Sequence, residues 1–263
     1  MTNMIAIERR KIIINLLKKY KVISIKSILQ ELNDKENNIR NDIRFLKELG
    51  LVTQTYGSVR LTNDFIDIDK YFFDFIENES RKRLISEKAF ELIKEDDSII
   101  LGPGTTVFEL ARIISKSNLR LNVITLSLPV LCILAKKTNI NLMFIGGKLI
   151  RENFSFEGIM VEEMLNIFSA NLGFIGIRGF SMDHGFTIPT MEQVITTRAI
   201  AKATNEVVVL TDSSKFSKNC FIRISSFQDE ILKRKITKVI TNKDLEKKYI
   251  QKLRNENIDV ILV

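Results

Sequence analysis

The feature that most constrains this fold is a series of seven short apolar runs in the last two-thirds of the chain. In order, they read SIIL, LNVITL, INLMFI, LGFIGI, EVVVL, KVIT and DVILV. Helical segments separate them, and no internal repeat or low-complexity stretch interrupts the series. Buried apolar strands that alternate with helices are typical of a parallel sheet covered on both faces. The sequence therefore predicts a mostly parallel α/β sheet domain over residues 81–263.

The loop after the first of these strands is a candidate binding site. Ligands of parallel α/β sheets bind at the carboxyl ends of the strands. Here Gly102, Gly104, Thr105 and Thr106 follow the strand and open a helix. Backbone N–H groups and the positive helix end would bind an anion such as phosphate, with the threonine hydroxyls as further donors. The alternative is an ordinary strand-to-helix turn capped by threonine.

Four further loops after predicted strands carry polar groups that suit an anion. One loop has two glycines beside Lys148, another has the hydroxyls of Ser213 and Ser214 beside Lys215, and two offer the Ser127 hydroxyl and the Arg178 guanidinium. A simple turn also explains each of these loops. The predicted effector-binding residues are Gly102, Gly104, Thr105, Thr106, Ser127, Gly146, Gly147, Lys148, Arg178, Asp212, Ser213, Ser214 and Lys215. We expect these loops to converge on one edge of the sheet, which unrelated turns would not do.

Positive charge is concentrated at the start of the chain. Of the net charge of +8, residues 1–60 carry +6, from 12 Lys and Arg against 6 Asp and Glu. A basic minority joined to a nearly neutral majority indicates that the first part binds a polyanion, most simply nucleic acid. The alternative is a solvated basic surface without a partner.

Three helices are predicted in this basic segment. They read AIERRKIIINLLKKY, ISIKSILQEL and NDKENNIRNDIRFLKELG, each with apolar residues at helical spacing. Ser24 is placed to cap the second helix and Asn33 or Asp34 to cap the third, which is expected to end at Gly50.

The third helix presents a face of Asn and Arg opposite its apolar stripe. At about 100° per residue, that face holds Asn37, Arg40, Asn41 and Arg44, with Lys47 at its flank. Arginine pairs with guanine and asparagine with adenine in the major groove, so this face suits base recognition. An amphipathic helix without a partner also has a polar face, but it more often mixes Glu and Lys at i, i+4 spacing.

A hairpin completes a predicted winged helix-turn-helix domain. LVTQTYGSVRL alternates apolar and polar residues around Gly57-Ser58, a pair suited to a tight turn. Tyr56 and Arg60 lie near the turn and could contact the DNA, although Tyr56 packing against the strands is an equal alternative. The predicted DNA-binding residues are Asn37, Asn38, Arg40, Asn41, Arg44, Lys47, Tyr56 and Arg60.

Several classes of protein are excluded by composition. No run of about 18 apolar residues occurs, and charge precedes any signal-like stretch at the N-terminus, so we expect a cytoplasmic protein without a membrane partner. Cys132 and Cys220 lack CxxC spacing and a nearby histidine, so we expect buried or inert thiols, no metal and no cofactor. The predicted domains are 1–61, a linker at 62–80, and 81–263.

Seven motifs together resemble the DeoR family of bacterial transcription regulators. In chain order they are ERRKIIINLL, IRNDIRFLKELGLV, RKRLISEKAFELI, GPGTT, FIGGKL, HGFT and TDSSKF. The resemblance implies a winged helix-turn-helix domain followed by a sugar-phosphate-sensing and oligomerisation domain. It further implies a repressor of carbohydrate metabolism genes that binds double-stranded operator DNA and is controlled by a phosphorylated sugar or related metabolite. The resemblance also implies a homo-oligomer, either a dimer or a tetramer.

Departures from the family pattern fall on polar positions of the larger domain. Arg178 and Gly102 stand where relatives usually carry aspartate, Leu126 where asparagine is usual, and Thr197 where lysine is usual. These changes replace carboxylates by an arginine and smaller groups, so the resemblance implies a more anionic or differently shaped ligand.

Two other functions remain open at this point. The larger domain is also similar to the ribose-5-phosphate isomerase fold, and an isomerase would need a base to move a proton between adjacent carbons. Where that family places carboxylates, this chain has Arg178 and Gly179, so we expect no catalytic residue and no enzyme. The other alternative is a regulator whose large domain only oligomerises.

Overall fold

The computed structural model describes residues 4, 6–48, 51–62, 78–224 and 230–263. The chain divides into two compact units, residues 1–77 and 78–263. The predicted helix end at Gly50 and most of the predicted linker 62–80 lie outside the described residues.

The first unit contains three helices and a small antiparallel sheet, as the sequence predicts. The strand order in this sheet is β1-β3-β2. Its elements are α1 (Ala6–Tyr20), β1 (Val22–Ser24), α2 (Ile25–Leu32), α3 (Glu36–Glu48), β2 (Val52–Thr55) and β3 (Ser58–Leu61). Strand β1 is not predicted from the sequence, since three residues are too few to show an alternating pattern.

Local geometry confirms one predicted helix cap and corrects two other details. Ser24 caps α2, because its Oγ accepts a hydrogen bond from the Ser27 N–H at 3.0 Å. Asn33 does not begin α3: with φ of +45° it ends α2, and its N–H donates to the Leu29 carbonyl. The hairpin turn lies at Tyr56-Gly57, one residue earlier than predicted, with φ of +36° and +79°. A two-residue turn of this type needs positive φ at both central positions.

The second unit is built on a seven-stranded sheet, accompanied by a two-stranded and a three-stranded antiparallel sheet. Its elements are α4 (Glu79–Phe90), β4 (Ser98–Leu101), α5 (Thr105–Lys116), β5 (Leu121–Thr125), α6 (Leu128–Leu134), β6 (Ile140–Phe144), β7 (Lys148–Ile150), β8 (Ser155–Glu157), α7 (Ile159–Leu165), β9 (Ala170–Ile175), β10 (Gly179–Ser181), β11 (Gly185–Ile188), α8 (Met191–Lys202), β12 (Thr204–Leu210), a 3₁₀ turn (Ser213–Lys215), β13 (Ile222–Arg223), α9 (Glu230–Lys235), β14 (Ile236–Thr241), α10 (Lys247–Asn255) and β15 (Asp259–Leu262).

All seven predicted strands pair in parallel, which confirms the predicted fold class. The strand order is β15-β14-β12-β9-β4-β5-β6. Residues 99–101 of β4 and 207–210 of β12 are buried without alternation, because helices cover both faces.

The topological switch point lies between β4 and β9. From β4 the chain proceeds through β5 to β6 on one side, and from β9 through β12 and β14 to β15 on the other. In α/β sheets, connections that diverge in this way typically place a ligand site at the carboxyl ends of the two strands. The predicted effector-binding residues follow β4, β5, β6, β9 and β12, which are five adjacent strands of the sheet. The expected convergence on one edge is therefore confirmed.

Candidate functional site

The loop after β4 leads into α5 without a side-chain cap. Gly104 occupies the cap position with φ of +129° and, as a glycine, has no side chain to accept a hydrogen bond from the first turn. The alternative of a threonine cap is therefore wrong, since Thr105 and Thr106 are already helical. Because the first N–H groups of a helix have no intrahelical partner, this terminus can donate to an anion.

Two neighbouring loops meet this helix start at van der Waals distance. A Cβ placed on Gly176, just after β9, would lie 3.5 Å from the Pro103 carbonyl oxygen and 3.9 Å from the Gly104 Cα. It would also lie 4.0 Å from the carbonyl oxygen of Leu210, at the end of β12. The backbones of the loops after β9, β4 and β12 thus lie near one another, at distances that would put an added Cβ in ordinary van der Waals contact.

In the loop after β12, the carboxylate of Asp212 is used internally. It is buried, and it accepts hydrogen bonds from the Ser214 N–H at 3.1 Å and from the Ser214 hydroxyl. These bonds shape the 3₁₀ turn. Lys215 is half-buried in that turn, and its Nζ makes no hydrogen bond or ion pair with any residue that the structure describes. Of the predicted residues in this loop, Lys215 is therefore the one whose positive charge is not paired within the described part of the chain.

Ser213 connects the same loop to the start of α4. Its Oγ accepts a hydrogen bond from Arg81 Nη1 at 2.8 Å, and Arg81 Nη2 lies 2.7 Å from the carboxylate of Asp244. The Ser213 hydroxyl, followed by the Arg81 guanidinium, holds the pKa of Asp244 below its ordinary value. The buried Asn242 completes the link, because it accepts from the Ser213 N–H and donates to the Arg81 carbonyl.

The loop after β6 combines a packing glycine with an exposed ion pair. A Cβ on Gly147 would meet Val161 Cγ2 at 3.1 Å, so close packing explains this glycine without a ligand. Lys148 Nζ lies 2.7 Å from Glu192 Oε1, and this ion pair raises the pKa of Lys148 and lowers that of Glu192. Lys148 is therefore committed to a carboxylate in this structure, whereas the sequence analysis expected it to face an anion.

A buried glutamate, Glu157, is the main residue that the sequence analysis missed. Its Oε1 accepts hydrogen bonds from Asn153 Nδ2 at 2.8 Å and from the Ser155 hydroxyl. Burial raises the pKa of Glu157, the two hydrogen bonds and Arg178 lower it, and Glu192 raises it further. The available signal was a charged residue directly before Gly158, at the end of a strand too short to be predicted.

Glu157 also changes the interpretation of Arg178. From the sequence, an arginine in place of aspartate implied a more anionic ligand. In the structure, the half-buried Arg178 interacts electrostatically with the Glu157 carboxylate. A carboxyl group of the protein is therefore within range of this charge, and Arg178 does not by itself require an additional anionic group on the ligand.

The described residues include no group of three or more His, Cys, Asp and Glu side chains that could hold a metal ion. Within the same part of the chain, no helix is both long and apolar enough to cross a bilayer. Cys132 is exposed and Cys220 is half-buried, so of the two alternatives, buried or inert thiols, full burial does not hold for either and inertness stays a prediction. The sole histidine, His184, lies in the turn between β10 and β11.

In the first unit, the predicted recognition face of α3 is solvent-exposed. Its buried side consists of Ile39, Asp42, Ile43 and Leu46. The exposed residues are Asn37, Arg40, Asn41, Arg44 and Lys47. The predicted division of the helix into two faces is confirmed.

Buried ion pairs hold this helix against α1. The Asp42 carboxylate accepts from Arg9 Nε at 2.7 Å and from Arg10 Nε at 2.8 Å. The Arg10 guanidinium also lies 3.7 Å from the centre of the Phe45 ring. Two positive charges of the basic segment are therefore structural and are not available to a polyanion.

The remaining predicted DNA-binding residues differ in their surroundings. Arg40 forms an exposed ion pair with Glu36 at 2.6 Å, and the Asn38 amide donates to Asp34 Oδ1 at 2.8 Å. Arg60 Nε donates to Thr53 Oγ1 at 3.0 Å, on the exposed surface of the hairpin. Tyr56 is fully exposed at the turn, so the alternative that it packs against the strands is wrong.

Comparison with known proteins yields matches for both units. A profile described as "DeoR-like helix-turn-helix domain" matches residues 9–65, and one described as "DeoR C terminal sensor domain" matches residues 77–243. An uncharacterized HTH-type transcriptional regulator of Haemophilus influenzae is 32% identical, covering 82% of this chain and 83% of that protein.

Lactose phosphotransferase system repressors are among the similar proteins. The Lactococcus lactis protein is 31% identical, covering 78% of this chain and 81% of its own length. The Staphylococcus epidermidis protein is 32% identical, covering 90% and 92%. Among solved structures, ribose 5-phosphate isomerase A of Methanocaldococcus jannaschii matches with a TM-score of 0.39 and 21% identity over 53% of this chain and 55% of that one.

Proposed function

The chain belongs to the DeoR family, and on that premise we propose that it is a repressor whose operator binding is altered by a phosphorylated sugar or related metabolite. By family it is a DNA-binding transcription regulator with a sensor domain. One observation carries the proposal: a single chain combines an exposed Asn and Arg face on α3 with an uncapped helix start at the switch point of a parallel sheet.

In the DNA-binding part of the proposal, α3 enters the major groove. Arg40, Asn41 and Arg44 would contact base edges, while Tyr56 and Arg60 on the wing would contact the backbone or minor groove. The ion pairs that hold Asp42 fix the orientation of the helix for this contact. The other proposed contacts are Asn37, Asn38 and Lys47.

In the sensing part, the phosphate of the effector binds at the N-terminus of α5. The N–H groups near Gly104, Thr105 and Thr106 donate to it, and Lys215 supplies a positive charge from the neighbouring loop. The names of two relatives refer to a phosphotransferase system repressor, which favours both a repressor and a phosphorylated ligand. A ligand that prefers one of two conformations would then shift operator binding.

A sugar-phosphate isomerase is the competing function, and Glu157 is the observation that favours it. A buried carboxylate with a raised pKa is the kind of group that serves as a general base. We assign Glu157 to binding, because the relatives described above are named as regulators. Steady conversion of pentose or hexose phosphates by the purified protein, lost in Glu157→Gln, would overturn this assignment.

We further propose that residues 1–61 form the DNA-binding domain, 62–80 a linker, and 81–263 the effector and oligomerisation domain. A homo-oligomer with two-fold symmetry would place two copies of α3 on a palindromic operator. Light scattering of the full chain tests the oligomer, and a monomer at the concentration that saturates DNA would contradict it.

The experiment for the whole proposal selects duplexes from a random pool with the full-length protein and then measures their affinity. We expect enrichment of a palindromic sequence and a change of about tenfold in its Kd with at least one phosphorylated sugar. The unphosphorylated sugar serves as the control and should have no effect. Absence of enrichment would contradict operator binding, and enrichment without any response to the phosphorylated sugars would favour a domain that only oligomerises.

A further inference from the structure

Four buried polar residues form a hydrogen-bonded group at the carboxyl edge of the sheet, which we call the Glu157 cluster. Its members are Ser127, Asn153, Ser155 and Glu157, and none is more than 4% exposed. Ser155 Oγ donates to Glu157 and lies 2.7 Å from Asn153 Oδ1, and the backbones of Ser127 and Ser155 form an isolated antiparallel bridge. A polar group of this kind inside an apolar fold finds its hydrogen bonds within the protein, with ordered water or with a ligand.

This cluster is not fully hydrogen-bonded. Ser127 Oγ and Glu157 Oε2 are buried, and neither has a hydrogen-bond partner among the described residues. Buried polar atoms in folded proteins nearly always have a partner, and a buried hydroxyl or carboxylate oxygen is costly to leave unpaired. Ser155 and Asn153 already use Glu157 Oε1, so they orient the carboxylate and leave Oε2 as the acceptor.

The cluster lies next to the proposed phosphate site. The Ser127 N–H donates to Thr125 Oγ1, whose hydroxyl donates at 2.9 Å to the Leu101 carbonyl at the end of β4. The isolated bridge between Ser127 and Ser155 then links this loop to the strand that ends at Glu157. Since β5 pairs with β4, Ser127 follows the strand next to the Gly102–Thr106 loop, and Glu157 is joined to it through the Ser127–Ser155 bridge.

We propose that Glu157 Oε2 and Ser127 Oγ bind the sugar end of the effector while the α5 terminus binds its phosphate. This inference rests on the proposed function and makes it more specific. The ligand must bring a hydrogen-bond donor, either a hydroxyl or an ammonium group, to the Glu157 carboxylate. The site therefore selects phosphates of polyhydroxylated or amino sugars and rejects sugar-acid phosphates, whose carboxylate would face Glu157.

Calorimetric titration of the full-length protein tests this assignment. The probes are inorganic phosphate, a panel of hexose 6-phosphates, glucosamine 6-phosphate and 6-phosphogluconate, and the comparison of glucose with glucosamine 6-phosphate separates a hydroxyl donor from an ammonium donor. Glu157→Gln keeps the shape of the side chain but replaces an acceptor oxygen by a donor. We expect this variant to lower the affinity for the tightest-binding sugar phosphate about tenfold or more, relative to its effect on the affinity for inorganic phosphate.

Two further variants complete the test. Glu163→Gln changes an exposed glutamate on α7 and should bind every probe as the unmodified protein does. Ser127→Ala should lower the affinity for the same sugar phosphate, though less than Glu157→Gln does. If Glu157→Gln does not fold, the affinity of Ser127→Ala alone decides the test. Unchanged sugar-phosphate affinity in both cluster variants would overturn this inference and leave the proposed function standing. Failure of the unmodified protein to bind inorganic phosphate and every sugar phosphate would instead overturn the sensing function, and this inference with it.

Discussion

Replacing Asp42 by asparagine should loosen the packing of α3 on α1. The Asp42 side chain is 2% exposed, and those of its partners Arg9 and Arg10 are 10% and 15% exposed. Removing one partner of a buried ion pair typically costs about 3–5 kcal/mol, because the other charge stays buried without compensation. Arg9 would keep Asp34 at 3.3 Å, and Arg10 would keep the Phe45 ring at 3.7 Å. We therefore expect the free energy of local unfolding to fall by an amount at the lower end of this range, about 3 kcal/mol, which is roughly a hundredfold in the local opening equilibrium.

Hydrogen exchange measured by mass spectrometry on the full-length protein reports this loss of stability separately for the peptides of each helix and strand. Protected amides of α1 and α3 should exchange roughly a hundredfold faster in Asp42→Asn, while β12 in the other unit serves as an internal reference. Glu31→Gln, an exposed change on α2, is the matched control and should alter exchange little. Adding Arg10→Met to Asp42→Asn should restore part of the protection, because it removes a charge left without its carboxylate. An acceleration below about fivefold in α1 and α3 would refute the reasoning.

Three other predictions concern the proposed sites. Arg40→Ala combined with Arg44→Ala should abolish operator binding in a mobility-shift assay without altering the circular dichroism spectrum, and an unchanged shift would contradict the role of α3. Lys215→Ala should reduce the stabilisation by phosphorylated sugars, about 2.7 kcal/mol at 100-fold excess over Kd in the unmodified protein, and an equal thermal shift in the variant would exclude Lys215 from the site. Burial raises the pKa of Glu157 above its ordinary value of 4.5, so the native state keeps this proton to higher pH than the unfolded chain. Its contribution to stability is thus complete below that value and falls as pH rises through the native pKa. Urea unfolding from pH 4 to pH 8 should show this slope, and Glu157→Gln should reduce it but leave the part due to Glu109, whose pKa is also raised by burial.

The sequence by itself determined the elements and their exposed faces. Periodicity predicted all seven strands of the large sheet and the polar side of α3, since the geometry of a strand or helix repeats along the chain. It also placed the candidate loops on one edge, because carboxyl ends of parallel strands share an edge. The local errors, such as the turn at Tyr56-Gly57, arose where one residue decides the backbone conformation.

Only the tertiary structure decided which side chains meet at that edge. Ser213 and Arg81 are 132 residues apart in sequence, and nothing in either local stretch marks them as partners. Arg178 and Glu157 likewise lie on different elements, so the sequence revealed the arginine but not the buried carboxylate whose pKa it lowers. The internal use of the Asp212 carboxylate depended on the fold of a single turn. Periodic burial leaves a pattern in the sequence, whereas a contact between distant residues leaves none, and the composition of the candidate site depends on such contacts.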